Sequence, residues 1–214
     1  MSVLIHPSYF SNIATWVAMV KTDDLIFEIQ DNYQKQTYRN RAYIYGANGK
    51  LSLNVPVNYT QKNRQLTGEI RIAHDGKWQA THWKSLLSAY KTSPFFEFYQ
   101  DDLYPIFQKK HDYLLDLNYH CFEVVKECLQ IDIPYVNSQT YIKDPDCKDL
   151  RFLINARKEN LQSLDQYTQV FSEKHGFISN LSILDLLFNE GPNALNYLES
   201  QSLENIMAAQ PSKE

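Results

Sequence analysis

Short apolar runs divided by polar residues mark the first part of the chain. The run SVLI predicts a buried strand that ends at His6-Pro7, and DLIFEI at 24–29 predicts a second strand. Between them lies a helical face, which Ser11 or Asn12 is placed to cap. Its members recur at helical spacing: Ile13, Trp16, Val17 and Val20. Strand, helix and strand within about 30 residues predict a βαβ-like unit.

The segment that follows the second strand predicts antiparallel pairing. The sequence AYIYGANGKLSLNVPV at 42–57 has the alternation of a hairpin, with GANG as its turn. In GEIRIAH at 68–74, the apolar residues Ile70 and Ile72 alternate with charged residues. This alternation predicts that the segment continues the sheet with both isoleucines facing inward.

The spacing of apolar residues changes to a helical period after Lys77. Four residues of this stretch are four positions apart: Trp78, His82, Leu86 and Tyr90. Pro94 then forces a new helix to begin, because proline cannot continue one. Two more helices are predicted at 95–107 and 111–131. The middle of the chain is therefore predicted to be mainly helical.

The last third of the chain mixes weaker signals. PYVNSQTYI at 134–142 predicts a weak strand, DPDCKD at 144–149 a loop, and YTQVF at 167–171 a last strand. Residues 178–200 predict a helix, a Gly-Pro break and a second short helix. The pattern as a whole predicts a single α/β domain over 1–205, with a mixed β-sheet opened by the βαβ-like unit, and a frayed tail at 206–214.

Composition narrows the classes of function. Hydrophobic residues make up 43% of the 214 residues, which is enough for a core, and the net charge is −4. A protein that grips a nucleic-acid backbone usually has a basic excess, so we do not expect a nucleic-acid partner. No signal peptide and no long apolar span is visible, which predicts a cytoplasmic protein without a membrane span. The three cysteines show no disulfide or zinc spacing, and we expect no metal site.

The stretch QDNYQKQTYRNRAYIYG at 30–46 places many hydrogen-bonding side chains beside a predicted strand. Asp31 and Asn32 follow the second strand as His6 follows the first. Ligands of open α/β sheets bind beyond the carboxyl ends of the strands, so these residues are expected to meet in one crevice. The sequence HPSYF places Tyr9 near the imidazole at this edge. A structural turn stiffened by Pro7 is the alternative.

Two arginines in the same stretch suggest recognition of an anion. Arg39 and Arg41 flank Asn40, and planar guanidinium groups suit phosphate or carboxylate. One hypothesis is that they clamp a substrate over the sheet edge. The alternative is that Asp31 pairs with one arginine and fixes the loop.

His82 lies on the apolar face of its predicted helix, where a polar group must find a partner. It is either a hydrogen-bonded core histidine or, with Tyr90, part of a pocket lining. The chain lacks GxGxxG, the Walker lysine loop, GxSxG and HExxH, so no standard catalytic motif names the reaction.

Several motifs together resemble the WbqC-like family of bacterial proteins. They are IHPSYF, DDLIFEIQDNYQKQTYRNRAYI, LNVPV, Trp78 with His82-Trp83, SPFFEFY and LSILDLLFNEGP, in this order over nearly the whole chain. The first motif of the family commonly reads His-Gln-Pro-x-Tyr-Leu-Pro; here the Gln is missing and Ser11 replaces the second Pro. Where the family tends to have a Gly/Ser-rich stretch, this chain has RFLINARKEN at 151–160.

The resemblance implies surface-polysaccharide biosynthesis of the O-antigen type, by group transfer on an activated amino sugar. The partner would then be a small-molecule substrate such as a nucleotide-sugar. In this hypothesis His6 is the general base and Asp31 orients it or the sugar hydroxyls. The residues expected to bind the substrate are Tyr9, Asn32, Arg39, Asn40, Arg41, His82 and Tyr90.

Two alternatives to this hypothesis stay open. A non-catalytic binding or assembly protein would present aromatic residues of SPFFEFYQDDLYPIF to a partner, although core packing explains the same pattern. They are Phe95, Phe96, Phe98 and Tyr99. An adenylate-forming amide ligase is the other alternative, since a histidine after the first strand is similar to nucleotidylyl-transferring folds, though the His-x-Gly-His signature is absent.

Overall fold

A four-stranded parallel sheet lies at the centre of the computed structural model, which describes residues 1–60, 64–157 and 164–208. Its strands are β1 (Ser2–Ile5), β2 (Asp24–Phe27), β7 (Tyr135–Asn137) and β8 (Lys148–Asp149), in the order β7-β2-β1-β8. All three pairings are parallel. The predicted α/β class is therefore confirmed.

The βαβ-like unit is also confirmed. Helix α1 (Ile13–Val20) connects β1 to β2, and the side chain of Asn12 caps it by accepting a 2.9 Å hydrogen bond from the backbone N–H of Thr15. Every residue from 13 to 19 is buried, because α1 packs against β1 on one side and against the C-terminal helices on the other. A helix covered on several sides is apolar all round, which explains its sequence.

Two antiparallel ribbons stand beside the parallel sheet. The predicted hairpin forms from β3 (Arg41–Gly46) and β4 (Gly49–Asn54). A second ribbon pairs β5 (Val57–Asn58) with β6 (Arg71–Ile72), and Ile70 and Ile72 are buried as predicted. Neither ribbon extends the parallel sheet, so GEIRIAH does not continue it.

The helical middle segment is confirmed. It consists of α2 (Trp78–Tyr90), α3 (Phe96–Gln108) and α4 (Leu114–Cys128), which pack in sequence order. The chain continues with α5 (Ser172–His175), α6 (Ile183–Glu190), α7 (Ala194–Ser200) and α8 (Leu203–Ala208). No helix in the described ranges is long and apolar enough to cross a membrane.

Three predictions in the last third of the chain are wrong. DPDCKD is not entirely loop, because Lys148–Asp149 form the edge strand β8. YTQVF forms no strand. The side-chain amide of Gln169 donates to the backbone oxygen of Ile178 and accepts from its N–H, so a side chain makes the hydrogen bonds that a neighbouring strand would make. The tail does not fray at 206, since Ile206 is fully buried in α8, while 209–214 lie outside the described residues.

Candidate functional site

A cavity of about 550 Å³ opens at the carboxyl end of the parallel sheet. His6 follows β1, Asp31 comes four residues after β2, and Arg151 comes two residues after β8. These strand ends form one edge, which is where α/β sheets bind ligands. The lining residues are His6, Gln30, Asp31, Asn32, Gln34, Arg39, Tyr141, Arg151, Phe152, Ile154 and Asn155. The structure brings four of the predicted site residues together in this cavity: His6, Asp31, Asn32 and Arg39.

The imidazole of His6 is held in a defined tautomer. Its Nδ1 lies 3.0 Å from the backbone oxygen of Glu28, and because a carbonyl oxygen only accepts, Nδ1 carries the proton. The Nε2 atom then keeps a free lone pair, 3.7 Å from Oδ2 of Asp31. Burial, and after it the charge of Arg39, lowers the pKa of His6 well below 6.5. The ring is therefore neutral at pH 7 and able to accept a proton at Nε2.

Asp31 is held from two sides. One carboxylate oxygen accepts from Nη2 of Arg39, and the other accepts from the Thr67 hydroxyl at 2.7 Å. The backbone N–H of Thr67 also donates to the backbone oxygen of Asp31 at 2.9 Å. Burial raises the pKa of Asp31, while the charge of Arg39 opposes that shift. The carboxylate therefore depends on this arginine to remain ionised beside His6.

Arg39 is an internal ion-pair partner. Its side chain is 0% exposed, and its Nε and Nη1 atoms are buried and have no hydrogen-bond partner among the described residues. Asn118 of α4 fixes its backbone, since the Asn118 amide donates to the carbonyl oxygen of Arg39 at 3.0 Å and to that of Pro7 at 3.4 Å. Asn118, which the sequence analysis missed, thus connects the loop of His6 with that of Arg39.

The two-arginine clamp predicted from the sequence is not present in this cavity. Arg41 does not line it and donates to the Tyr43 hydroxyl at 3.4 Å, and the Asn40 amide donates to the backbone oxygen of Val55 at 2.9 Å. Residues Tyr38–Asn40 form a 3-10 helix and Arg41 begins β3, so the two arginines leave the backbone in different directions. The alternative, in which Asp31 pairs with one arginine, matches the geometry.

Tyr9, His82 and Tyr90 do not line the cavity either, which corrects the predicted pocket lining. The Tyr9 hydroxyl and His82 Nδ1 are 3.0 Å apart in the core. The Tyr90 hydroxyl donates to Asp185 at 2.6 Å and accepts from the backbone N–H of Tyr45 at 2.9 Å. These side chains satisfy one another in the interior, where unpaired polar groups would be costly.

Two charged residues beside the cavity, Glu28 and Arg151, were not predicted from the sequence. Glu28 follows β2 and is fully buried; its carboxylate accepts from the hydroxyl of Ser138 at 2.8 Å and from the N–H of Ile142 at 2.9 Å. Arg151 lies 3.6 Å from that carboxylate and forms a two-point pair with Asp149. A charged residue directly after a buried strand was the available signal for Glu28. The sequence contained no comparable signal for Arg151, because β8, the strand before it, is only two residues long.

The core position of His82 predicts a loss of stability in acid. Burial lowers its pKa to about 4 from 6.5. Below pH 6.5 the unfolded chain binds a proton there that the folded chain does not, so stability falls with pH until about pH 4. At about 1.4 kcal/mol per pKa unit, the total loss is about 3 kcal/mol.

Urea unfolding of wild type and His82→Gln between pH 4 and 7 measures this contribution. The difference in unfolding free energy between the two proteins should shrink by about 3 kcal/mol on acidification. The same substitution at exposed His175, which lies outside the core, is the matched control. A difference between wild type and His82→Gln that stays constant with pH would contradict the assignment.

Comparison with known proteins identifies the family. The WbqC-like protein family model matches residues 6–164 and 154–197. This chain belongs to the WbqC-like protein family. The chain is also similar to "Uncharacterized protein Rv1507c" of Mycobacterium tuberculosis (strain ATCC 25618 / H37Rv), at 28% identity over 218 residues, which covers 89% of this chain and 91% of that protein. No solved structure matches significantly. In the part of the chain that the structure describes, no three His, Cys, Asp or Glu residues are grouped to hold a metal ion.

Proposed function

We propose that this protein is an enzyme of surface-polysaccharide biosynthesis that transfers a group to an activated amino sugar, with His6 as the general base. The observation that carries the proposal is the state of the imidazole. The Glu28 carbonyl holds the proton on Nδ1, and the ring lines an open cavity with Nε2 unprotonated. A neutral imidazole with an unprotonated nitrogen facing a cavity is able to take a proton from a bound substrate at neutral pH. The sugar is suggested by the family resemblance.

The proposed step is an acyl transfer. The acceptor's amine or hydroxyl gives its proton to Nε2 of His6 as its nitrogen or oxygen bonds to the acyl carbon of a thioester donor. The carbon–sulfur bond breaks, and the leaving thiolate takes up that proton. Asp31, whose Oδ2 lies 3.7 Å from Nε2, stabilises the positive charge on the imidazole while the proton is held there.

The aromatic surface needed by the alternative of a binding protein is small. Phe96 and Tyr99 are buried in the core and Phe95 is half-buried, so only Phe98 of the four aromatic residues is well exposed, at 65%. This arrangement favours the enzyme over an assembly protein that presents this segment.

Mass spectrometry of reactions with nucleoside-diphosphate amino sugars and acyl thioesters tests the proposal. We expect an acylated sugar, formed at a rate that stays level as the pH falls through 6.5, because the pKa of His6 lies well below that value. An ATP reaction monitored for pyrophosphate distinguishes the adenylate-forming ligase. Absence of product with every donor, from a folded protein that no sugar nucleotide stabilises thermally, would contradict the proposal.

A further inference from the structure

Among the residues that the structure describes, the charges around the cavity show no excess of positive charge to hold an anion. Arg39 is paired with Asp31, and Arg151 is paired with Asp149 at 2.8 and 2.7 Å. Glu28 adds a further carboxylate 3.6 Å from Arg151. Within the described ranges, two positive and three negative side chains therefore meet here, beside a neutral His6. A neutral group with many hydrogen-bonding positions fits this cavity better than a bare phosphate.

An exposed aromatic ring is one of the cavity walls. Tyr141 is 55% exposed, and the guanidinium carbon of Arg151 lies over its ring, 5.4 Å from the centroid. Arg151 is itself fixed by Asp149 and by the backbone oxygen of Ile142. The tyrosine is thus held in place by a cation over its ring, while more than half of the residue's surface remains exposed.

The backbone beneath Tyr141 is also fixed. Glu28 accepts from Ser138 at 2.8 Å and from the N–H of Ile142 at 2.9 Å, so one buried carboxylate ties the segment on both sides of the tyrosine. A surface whose conformation is set before binding loses less entropy when a ligand arrives.

Three amide side chains complete the wall. Gln30, Asn32 and Gln34 line the cavity and make no side-chain hydrogen bond to any described residue. An amide offers two donors and an acceptor with two lone pairs, which matches hydroxyl groups in either role. An open aromatic face beside amides suits a ring that is apolar on one face and hydroxylated at its edge.

We infer that Tyr141 and these amides form a subsite for the pyranose ring of the substrate. The C–H face of the sugar stacks on Tyr141, and its hydroxyls bond Gln30, Asn32 and Gln34. The inference rests on the proposed function and makes it more specific, since the cavity recognises the sugar and not its phosphate groups.

Ligand-observed NMR titrations with glucosamine, N-acetylglucosamine and inorganic phosphate test the subsite. We expect sugar binding that Tyr141→Ala weakens about five- to tenfold and that Tyr141→Phe leaves within about twofold. Phosphate should not compete with the sugar. Tyr104, which is 40% exposed and does not line the cavity, provides the matched control, and Tyr104→Ala should bind like wild type. Equal sugar affinity in wild type and Tyr141→Ala, absence of sugar binding, or competition by phosphate would overturn the subsite.

The same titrations separate this inference from the proposed function. His6→Asn should still bind the sugar, because Tyr141 and the three amides are unchanged in it, and should lose turnover. Sugar binding that depends on Tyr141, without turnover with any donor, supports the subsite and contradicts group transfer. Turnover that survives Tyr141→Ala with an unchanged KM supports group transfer and contradicts the subsite.

Discussion

Replacing His6 by asparagine should leave a folded protein that has lost group transfer. The asparagine amide nitrogen takes the position of Nδ1, so it keeps the hydrogen bond to the Glu28 carbonyl. The variant has no atom at Nε2 and no base. We expect turnover to fall about 10²- to 10⁴-fold, the usual contribution of a general base. The unfolding free energy should change by about 1 kcal/mol or less, since the buried carbonyl keeps its donor.

The matched control is the same substitution at His175. That exposed imidazole also contacts a backbone carbonyl, the oxygen of Ala47 at 3.0 Å, but it lies outside the cavity. His175→Asn should retain turnover within about twofold of wild type. Mass-spectrometric rates and urea unfolding on the three proteins decide the outcome. If His6→Asn lost turnover only in proportion to its folded fraction, His6 would be structural and the general-base role would be wrong.

Arg39→Met should destabilise the fold itself. The variant leaves the buried Asp31 carboxylate without its cation, and breaking a buried pair in this way costs about 3–5 kcal/mol. The double variant Arg39→Met/Asp31→Asn should be at least about 1 kcal/mol more stable than the sum of the single losses predicts, because the two residues are in contact. Denaturant unfolding at pH 7 measures all three.

Arg41→Met serves as the control for this ion pair. Arg41 is only partly buried, and among the described residues its side-chain hydrogen bond is one long contact with the Tyr43 hydroxyl, so its loss should cost well under half of the Arg39 value. A substrate clamp would behave differently: Arg39→Met would then keep its stability and lose only ligand affinity. That result would restore the clamp predicted from the sequence and contradict the internal ion pair.

The meeting of His6 and Asp31 could be predicted from the sequence because it follows a local rule. Each residue comes at or shortly after the end of an apolar run, and parallel strands bring their carboxyl ends to one edge. The direction of Tyr9 could not be predicted in the same way. After Pro7 the chain turns, Phe10 takes a φ of 40°, and the phenol points into the core toward His82. Such a turn leaves no periodic signal.

The other wall of the cavity depends on contacts between distant parts of the chain. Tyr141 and Arg151 come more than 100 residues after His6, and β7 and β8 bring them there with only three and two residues. Strands this short give no reliable alternation. The prediction for Arg41 was wrong for a different reason. Arg39 lies in a 3-10 turn and Arg41 begins a strand, so the two side chains do not point to the same side as they would in one extended strand.

A ¹⁵N NMR titration of the His6 imidazole measures its protonation state and its contact with the substrate. At pH 7 we expect a neutral ring with the proton on Nδ1, and an Nε2 resonance that shifts when a nucleoside-diphosphate amino sugar is added. A ring that is protonated on Nε2 at pH 7, or an Nε2 resonance that no activated sugar perturbs, would contradict the assignment of His6 as the base of this cavity.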